Sequence, residues 1–369
     1  LFFFCCVIIR LEKGNKKMQN KLYETEKIQQ LLLSWYDKHK RDLPFRKTKQ
    51  AYYIWVSEIM LQQTRVEAVL PFYVRFIKEL PTIKHLAEVE DDKLMKLWQG
   101  LGYYTRARML KKAAQIIVNE QNGVMPNTKT ELQKLPGIGA YTAGAIASIA
   151  FEEKVPAIDG NVLRVISRVK GIKEDITKKE TNQTIEQIVN ELLPENRVGD
   201  FNQALMEVGA TVCLPNGQPI CEKCPFQTLC WAYRNNATST IPNKPKKQAR
   251  KIEKRTVILL EYNHAFAVVK RPQKGLLAGL FEFLNVEGHL SDKQLEVLLK
   301  DYGIKVLQMK AIAPSKHIFT HIEWHMKNYY VSVKENKNKD ILFVTKDELK
   351  QSYSIPNAYK KMLEYVETL

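Results

Sequence analysis

The chain has 369 residues, enough for two or three domains, and its 45% apolar and 26% charged residues are ordinary for a globular protein. That composition excludes a largely disordered chain, a collagen-like repeat and a coiled-coil rod, and no apolar run approaches the roughly 18 residues of a membrane-spanning helix. With 57 Lys+Arg against 40 Asp+Glu the net charge is +17, which favours a polyanionic partner, most often nucleic acid.

In chain order, the first segment is LFFFCCVIIRLEKGNKK, followed by Met18. Its positive charges come after the apolar run, whereas a signal peptide places them before it. Residues 1–17 are therefore expected to be a non-native or mispredicted leader, with a membrane anchor as the alternative. Residues 18–235 are expected to form a helical domain. Apolar residues recur at spacings of three and four in 28–36, 51–61, 66–77, 107–118 and 141–151, punctuated by Gly and Pro. The polar, basic segment 236–255 has a linker composition. From residue 256 to 369 the pattern changes to a small α+β domain. Strands are expected at 256–262, 265–270, 304–313, 317–333 and 341–345, and helices at 291–301 and 356–367.

Four motifs carry chemistry. The string LPGIGAYTAGA (135–145) sets Gly137 and Gly139 around one apolar residue just before a small-residue helix. Such a turn lets a phosphate approach bare N–H groups and grips a DNA backbone without reading sequence. The second motif is Cys213, Cys221, Cys224 and Cys230, with gaps of seven, two and five residues. Four thiolates at this spacing hold zinc or an iron–sulfur cluster, and the spacing does not choose between them. With only Cys5 and Cys6 elsewhere, this clustering points to a reducing compartment rather than to a disulfide framework, and a cytoplasmic location is expected.

The third motif is a pair of carboxylates. Glu58 lies inside the apolar helix YYIWVSEIML, where burial would raise its pKa and suit a general acid; facing solvent or pairing with Arg is the alternative. Asp159, in AIDGNVLR, is placed as a helix N-cap that stays ionised. The fourth motif is LQQT (61–64) with GLGYY (100–104), whose amide and aromatic side chains could enter a base stack. In the C-terminal domain, FTHIEWH alternates Ile322, Trp324 and Met326 on one strand face with His321, Glu323 and His325 on the other. His317, His321 and His325 are separated by about 13 Å per step on a strand, too far for one metal site.

Together RDLPFR (41–46), SEIMLQQTRV (57–66), GLGYY, LPGIG and DGN (159–161) resemble the MutY-type adenine DNA glycosylases of the helix-hairpin-helix, endonuclease III superfamily. The resemblance covers about residues 22–369. It implies a multi-domain chain: an all-α helix-hairpin-helix glycosylase domain with an iron–sulfur module, and a C-terminal α+β Nudix-like domain. It implies removal of adenine mispaired with 8-oxoguanine or guanine in duplex DNA, by a monomer without membrane contact.

By matched position, the resemblance implies Glu58 as the acid that protonates adenine and Asp159 as the carboxylate that stabilises the sugar cation. Tyr141 and Asn161 would line that site, with Arg46 and Gln203 near the extruded adenine. Gln63, Thr64, Leu101 and Tyr103 would fill the stack and contact 8-oxoguanine, and Phe319, Thr320 and His321 would sense it from the C-terminal domain. Gly137 and Gly139 would hold the DNA backbone, and the four cysteines would ligate a 4Fe–4S cluster.

Lyase relatives carry a nucleophilic lysine where Tyr141 stands, so the chain is expected to be monofunctional. Two departures stand out: the first cysteine gap is seven residues rather than six, and Thr320 replaces the usual Ser. RPQKGLLAGLFEF (271–283) begins like a Nudix motif but lacks the acidic helix after it, so recognition without nucleotide hydrolysis is expected. The alternatives are an endonuclease III-like glycosylase/lyase acting on oxidised pyrimidines, and a non-catalytic DNA-binding protein with a structural metal.

Overall fold

A computed structural model describes residues 22–245, 249–339 and 341–369. The expected leader, with Cys5 and Cys6, lies outside them. Among the described residues, twelve helices precede the first strand. They are α1 (22–39), α2 (Ala51–Leu61), α3 (Val66–Glu79), α4 (Ile83–Glu88), α5 (Asp91–Trp98), α6 (Thr105–Glu120), α7 (Lys129–Leu132), α8 (Ala140–Phe151), α9 (Gly160–Lys170), α10 (Lys179–Leu192), α11 (Val198–Thr211) and α12 (Trp231–Arg234). None is long and apolar enough to cross a membrane.

The described chain divides into two units. The first comprises residues 22–63, 82–87 and 109–245. Its centre is α8, which packs against α2 and α11, and a Cβ on its Gly144 would meet Pro156 O at 2.3 Å. A second core joins α1, α9, α10 and α11 to the cysteine loop, through Leu32, Val165, Ile166, Phe201, Leu205 and Phe226. Such alternation of apolar stripes with polar faces is what drives amphipathic helices together.

The second unit comprises 64–81, 88–108 and 249–369. It contains β1 (Lys251–Tyr262), β2 (Ala265–Lys270), β3 (Phe281–Glu282), β4 (Leu284–Glu287), α13 (Asp292–Asp301), β5 (Ile304–Ile318), β6 (Ile322–Asn336), β7 (Leu342–Thr345), α14 (Lys346–Gln351) and α15 (Lys360–Val366). The strands form one mixed sheet in the order β3-β2-β1-β6-β5, with β4 on β1 and β7 on β2. Strand β1 is parallel to β6, and β5 is antiparallel to β6 at the edge. Asn263 and His264, at φ 50° and 61°, make the two-residue turn between β1 and β2, the left-handed pair a tight hairpin needs. Alternation along β1 sends Val257 and Leu259 to the face covered by α14 and α15, and Ile258 and Leu260 to the face covered by α13.

Two features differ from the sequence expectation. A gap was expected at 314–316 and a continuous strand through 317–333; instead β5 runs on to Ile318 and the turn falls at 319–321. Pro314 is accommodated at an irregularity between Ile312 and Ser315 on the edge strand, where a missing N–H costs little. The expected linker also shortens at both ends. Strand β1 starts at Lys251, and Ile241 is buried in the first unit, its carbonyl accepting from Arg168 Nε at 2.7 Å.

Candidate active site

Helix α2 buries Tyr52, Ile54, Trp55, Val56, Ile59 and Met60, and Glu58 is buried with them at 7% exposure. Its partner is Tyr141, on the first turn of α8, whose hydroxyl donates to Glu58 Oε2 and lies 3.5 Å from Met206 Sδ on α11. Burial raises the Glu58 pKa from 4.5 to about 7. The Tyr141 hydrogen bond and Arg46 oppose this rise, and the charge of Asp159 adds to it. Burial also raises the Tyr141 pKa well above 10, with the Glu58 and Asp159 charges adding to the shift.

Asp159 is the N-cap of α9, as its sequence position implied. Its Oδ1 accepts from Val162 N at 2.8 Å, and its Oδ2 accepts from Asn161 Nδ2 at 2.6 Å. Burial raises its pKa above 3.8, while these hydrogen bonds and Arg164 pull it back. The expected N-cap ionisation is thus a balance of opposing effects rather than a simple consequence of capping. Asn161 is held in turn by Arg164, whose Nη2 donates to Asn161 Oδ1 at 2.9 Å and to Gly209 O at 2.8 Å. Gly209 is required here because a Cβ would come within 2.4 Å of Asn161 Cβ.

Arg46 ends a single 3-10 turn, Pro44–Arg46. It meets Glu207 of α11, whose side chain is fully buried, at 2.6 Å, and Arg41 clasps the same carboxylate with Nε at 2.8 Å and Nη2 at 2.9 Å. Burial alone would push Glu207 up, but the two arginines more than offset it and hold it at about 2. Gln203 lies one turn earlier on α11, half-buried.

Cys213, Cys221, Cys224 and Cys230 are free thiols lining one small cavity of the first unit. Arg168, one turn after Arg164 on α9, donates from Nη1 to Cys213 Sγ at 3.2 Å. Arg164 Nε donates to Cys213 O at 2.7 Å. Burial raises the pKa of Cys221 and Cys230, and that of Cys224 to about 12. Among the described residues, no three His, Cys, Asp or Glu side chains converge as ligands of one metal ion.

Gly137 has φ 80° in the turn between α7 and α8, and a Cβ there would meet Met109 Cβ at 2.6 Å. Gly139 is the N-cap of α8, where no side chain caps the first turn. Gln63, at the end of α2, is exposed with φ 58°.

In the second unit, Leu101 is buried rather than projecting, whereas Tyr103 is 47% exposed. The Tyr103 hydroxyl lies 2.8 Å from Thr320 Oγ1, so two expected recognition elements meet there. Residues 319–321 form the turn between β5 and β6. Phe319 packs on Trp324, ring centroids 5.0 Å apart, and leaves Thr320 and His321 exposed. Thr64 Oγ1 accepts from Arg106 at 3.4 Å. His317 packs edge-on against Phe319, ring centroids 4.6 Å apart, and His325 Nε2 lies 2.7 Å from Glu323 Oε1.

Comparison with known proteins finds a family for each of the two parts of the chain. Residues 56–191 match the family model of the HhH-GPD superfamily base excision DNA repair proteins, and residues 255–365 match that of the NUDIX domain. An adenine DNA glycosylase of Buchnera aphidicola is 33% identical over 91% of this chain and 97% of its own length. The chain belongs to the adenine DNA glycosylase family.

The Mus musculus adenine DNA glycosylase is 37% identical over 82% of this chain and 70% of its own. The Arabidopsis thaliana protein of the same name is 38% identical, and this chain spans only 56% of its length. Among solved structures, a thermostable thymine-DNA glycosylase matches 59% of this chain and 99% of its own, with a TM-score of 0.52 and 27% identity.

Sequence reasoning missed Glu207, Arg41 and Arg164. The cue that singled out Glu58, a carboxylate within an apolar helix, also applies to Glu207 in FNQALMEVGA.

Proposed function

We propose that this chain is a monofunctional glycosylase that removes adenine opposite 8-oxoguanine or guanine in duplex DNA. The observation that carries this reading is the Glu58–Tyr141–Asp159 cluster. It contains a buried acid with a pKa of about 7, its phenolic partner, and a second carboxylate close enough to influence both. The C1′–N9 bond of adenine breaks slowly because the free base is a poor anionic leaving group. Glu58 gives its proton to adenine N7, and adenine departs neutral. The positive charge developing on the sugar is met by Asp159, and water adds at C1′ and loses a proton to leave an abasic site. This is the two-carboxylate logic of glycoside hydrolysis.

Tyr141 donates to Oε2 and leaves Oε1 of Glu58 for the transferred proton. Tyr141 has no amine with which to form a Schiff base, which supports hydrolysis without strand cleavage. Asn161 keeps Asp159 aligned. Arg46 and Gln203 would bind the extruded base, which must leave the stack to be reached, and Glu207 would hold Arg46 in place. Gly137 and Gly139 would hold a backbone phosphate. Gln63, Thr64, Tyr103, Thr320 and His321 would read the opposite base, whereas Leu101 is buried and Phe319 packs on Trp324, and residues 256–369 would serve recognition rather than nucleotide hydrolysis.

The four cysteines fit a 4Fe–4S cluster. All four line one cavity of the first unit. Arg168 beside Cys213 suits an anionic sulfur set. When bound, such a cluster ties residues 213–230 together and adds a redox-active centre. Iron and sulfide analysis of purified protein tests the assignment, and zinc alone would refute it.

The activity is tested by single-turnover excision with adenine opposite 8-oxoguanine, guanine, cytosine or thymine, with and without alkali. Cleavage only after alkali, fastest opposite 8-oxoguanine, is expected. Strand breaks without alkali would indicate a lyase instead, and no excision despite tight binding would leave a DNA-binding relative.

A further inference from the structure

The turn at 100–103 needs something to hold it. Gly100, Gly102 and Tyr103 have φ values of 107°, 71° and 48°, and for a tyrosine the left-handed region is disfavoured. Arg106 lies just after this turn, at the second position of α6. A cation there opposes the helix dipole, and burial lowers its pKa from 12.5 to about 10. Neither effect favours arginine for the helix itself.

The contacts of Arg106 explain its presence. Its guanidinium carbon is 5.6 Å from the Trp98 ring centroid and 5.4 Å from that of Tyr103. Its Nη2 lies 3.2 Å from Gly102 O and 3.4 Å from both Leu101 O and Thr64 Oγ1. Its backbone N–H donates to Tyr103 O at 2.9 Å. Trp98 Nε1 donates to the same Gly102 carbonyl at 3.1 Å. One planar group thus contacts both exposed and buried parts of the turn. A lysine has neither the flat face nor the fork of donors to do this.

Resting on the adenine–8-oxoguanine reading, we propose that Arg106 is the positioning residue of this turn: it holds the 101–103 backbone and the Tyr103 ring in the shape that enters the duplex, so that discrimination of the base opposite adenine depends on it. The competing role for an arginine here is a plain phosphate contact, which would make no demand on its planar shape.

The test uses the full chain as wild type, Arg106→Gln and Arg106→Lys. Excision rates are measured for adenine opposite 8-oxoguanine and opposite guanine. Binding is followed by fluorescence of 2-aminopurine placed beside the lesion, which brightens when the stack is opened, and affinity is measured across a salt series. For Arg106→Gln, the preference for 8-oxoguanine over guanine is expected to fall on the order of 10- to 100-fold. Its 2-aminopurine brightening at saturating protein is expected to shrink, with an unchanged salt slope. Arg106→Lys is expected to behave like Arg106→Gln.

Restoration of the wild-type preference by lysine would overturn the proposal. So would a salt slope reduced by about one, the mark of a lost phosphate contact. So would an unaltered preference and brightening in a folded Arg106→Gln protein. If Arg106→Gln does not fold, Arg106→Lys decides, and a wild-type preference there rejects the idea. If the wild type excises no adenine, the functional reading fails and brightening alone judges Arg106. Equal brightening in wild type and variant, or none in the wild type, then overturns the proposal.

Discussion

Glu58 shows how a single buried group links stability to chemistry. Its folded-state pKa of about 7 lies above its ordinary 4.5, chiefly because of burial. Below about pH 4.5 the carboxyl is protonated in both the folded and unfolded chain, and the shift has no effect on stability. As pH rises from 4.5 through 7, the unfolded chain ionises first, so folded stability falls by roughly 3 kcal/mol in total. A glutamine cannot ionise and escapes this loss while still accepting from Tyr141. Glu58→Gln is therefore expected to lower excision by about 10²- to 10⁴-fold. It is also expected to raise unfolding free energy above wild type at about pH 8, but not at about pH 4. Denaturant titrations at both pH values check this, and equal stability difference at the two would contradict the buried-acid assignment. Wild-type kcat/KM should likewise fall as pH rises through about 7, because the proton to be donated is then lost.

At the scale of elements, α9 joins two regions that look unrelated in sequence. Asp159 caps its start. Arg164, one turn in, holds Asn161 Oδ1 and three backbone carbonyls, and Arg168, a further turn on, reaches Cys213. Replacing Arg164 by methionine leaves the buried carbonyls of Cys213 and Gly209 without this donor and frees Asn161 to rotate away from Asp159. Arg164→Met is expected to cost about 2–3 kcal/mol of stability. It is also expected to slow single-turnover excision by about tenfold or more while duplex affinity is retained. An unchanged rate in the folded variant would show that Asp159 needs no such support.

How much of this was legible follows from how local each signal is. Asp159 before a helix and Glu58 inside an apolar one are local patterns, and the structure places them as an N-cap and a buried carboxylate. The hairpin glycines are legible for the same reason. The Arg41–Glu207–Arg46 clasp is not, because it depends on a loop and α11 meeting across more than 160 residues. The 319–321 turn was hidden by Pro314, which reads as a break but lies in an edge-strand irregularity.

At the scale of the molecule, chain order does not set unit membership. Helices α3 and α5 precede most of the helical domain in sequence, yet they belong with the sheet. Within that unit Lys96 Nζ donates to Tyr353 O at 3.0 Å and Gln99 Nε2 to Ile355 O at 2.8 Å. Lys270 pairs with Asp92 at 3.0 Å, and Arg108 donates to Ala278 O. No periodicity in residues 64–108 announces these partners, because each contact spans 170 residues or more. A chain ending at residue 245 would therefore lose more than the strands of its sheet. Helices α3 and α5, and the turn that follows them, would lose the groups that fix them. Amide exchange in 66–98 is expected to be at least about tenfold faster in that truncated protein, while α8 and α9 keep their protection. Excision opposite 8-oxoguanine should fall further than opposite guanine, since the 100–103 turn and Thr320 are disturbed together. Unchanged protection in α3 and α5 would mean that these helices do not depend on the sheet, and that the loss of preference on truncation comes from the missing 319–321 turn alone.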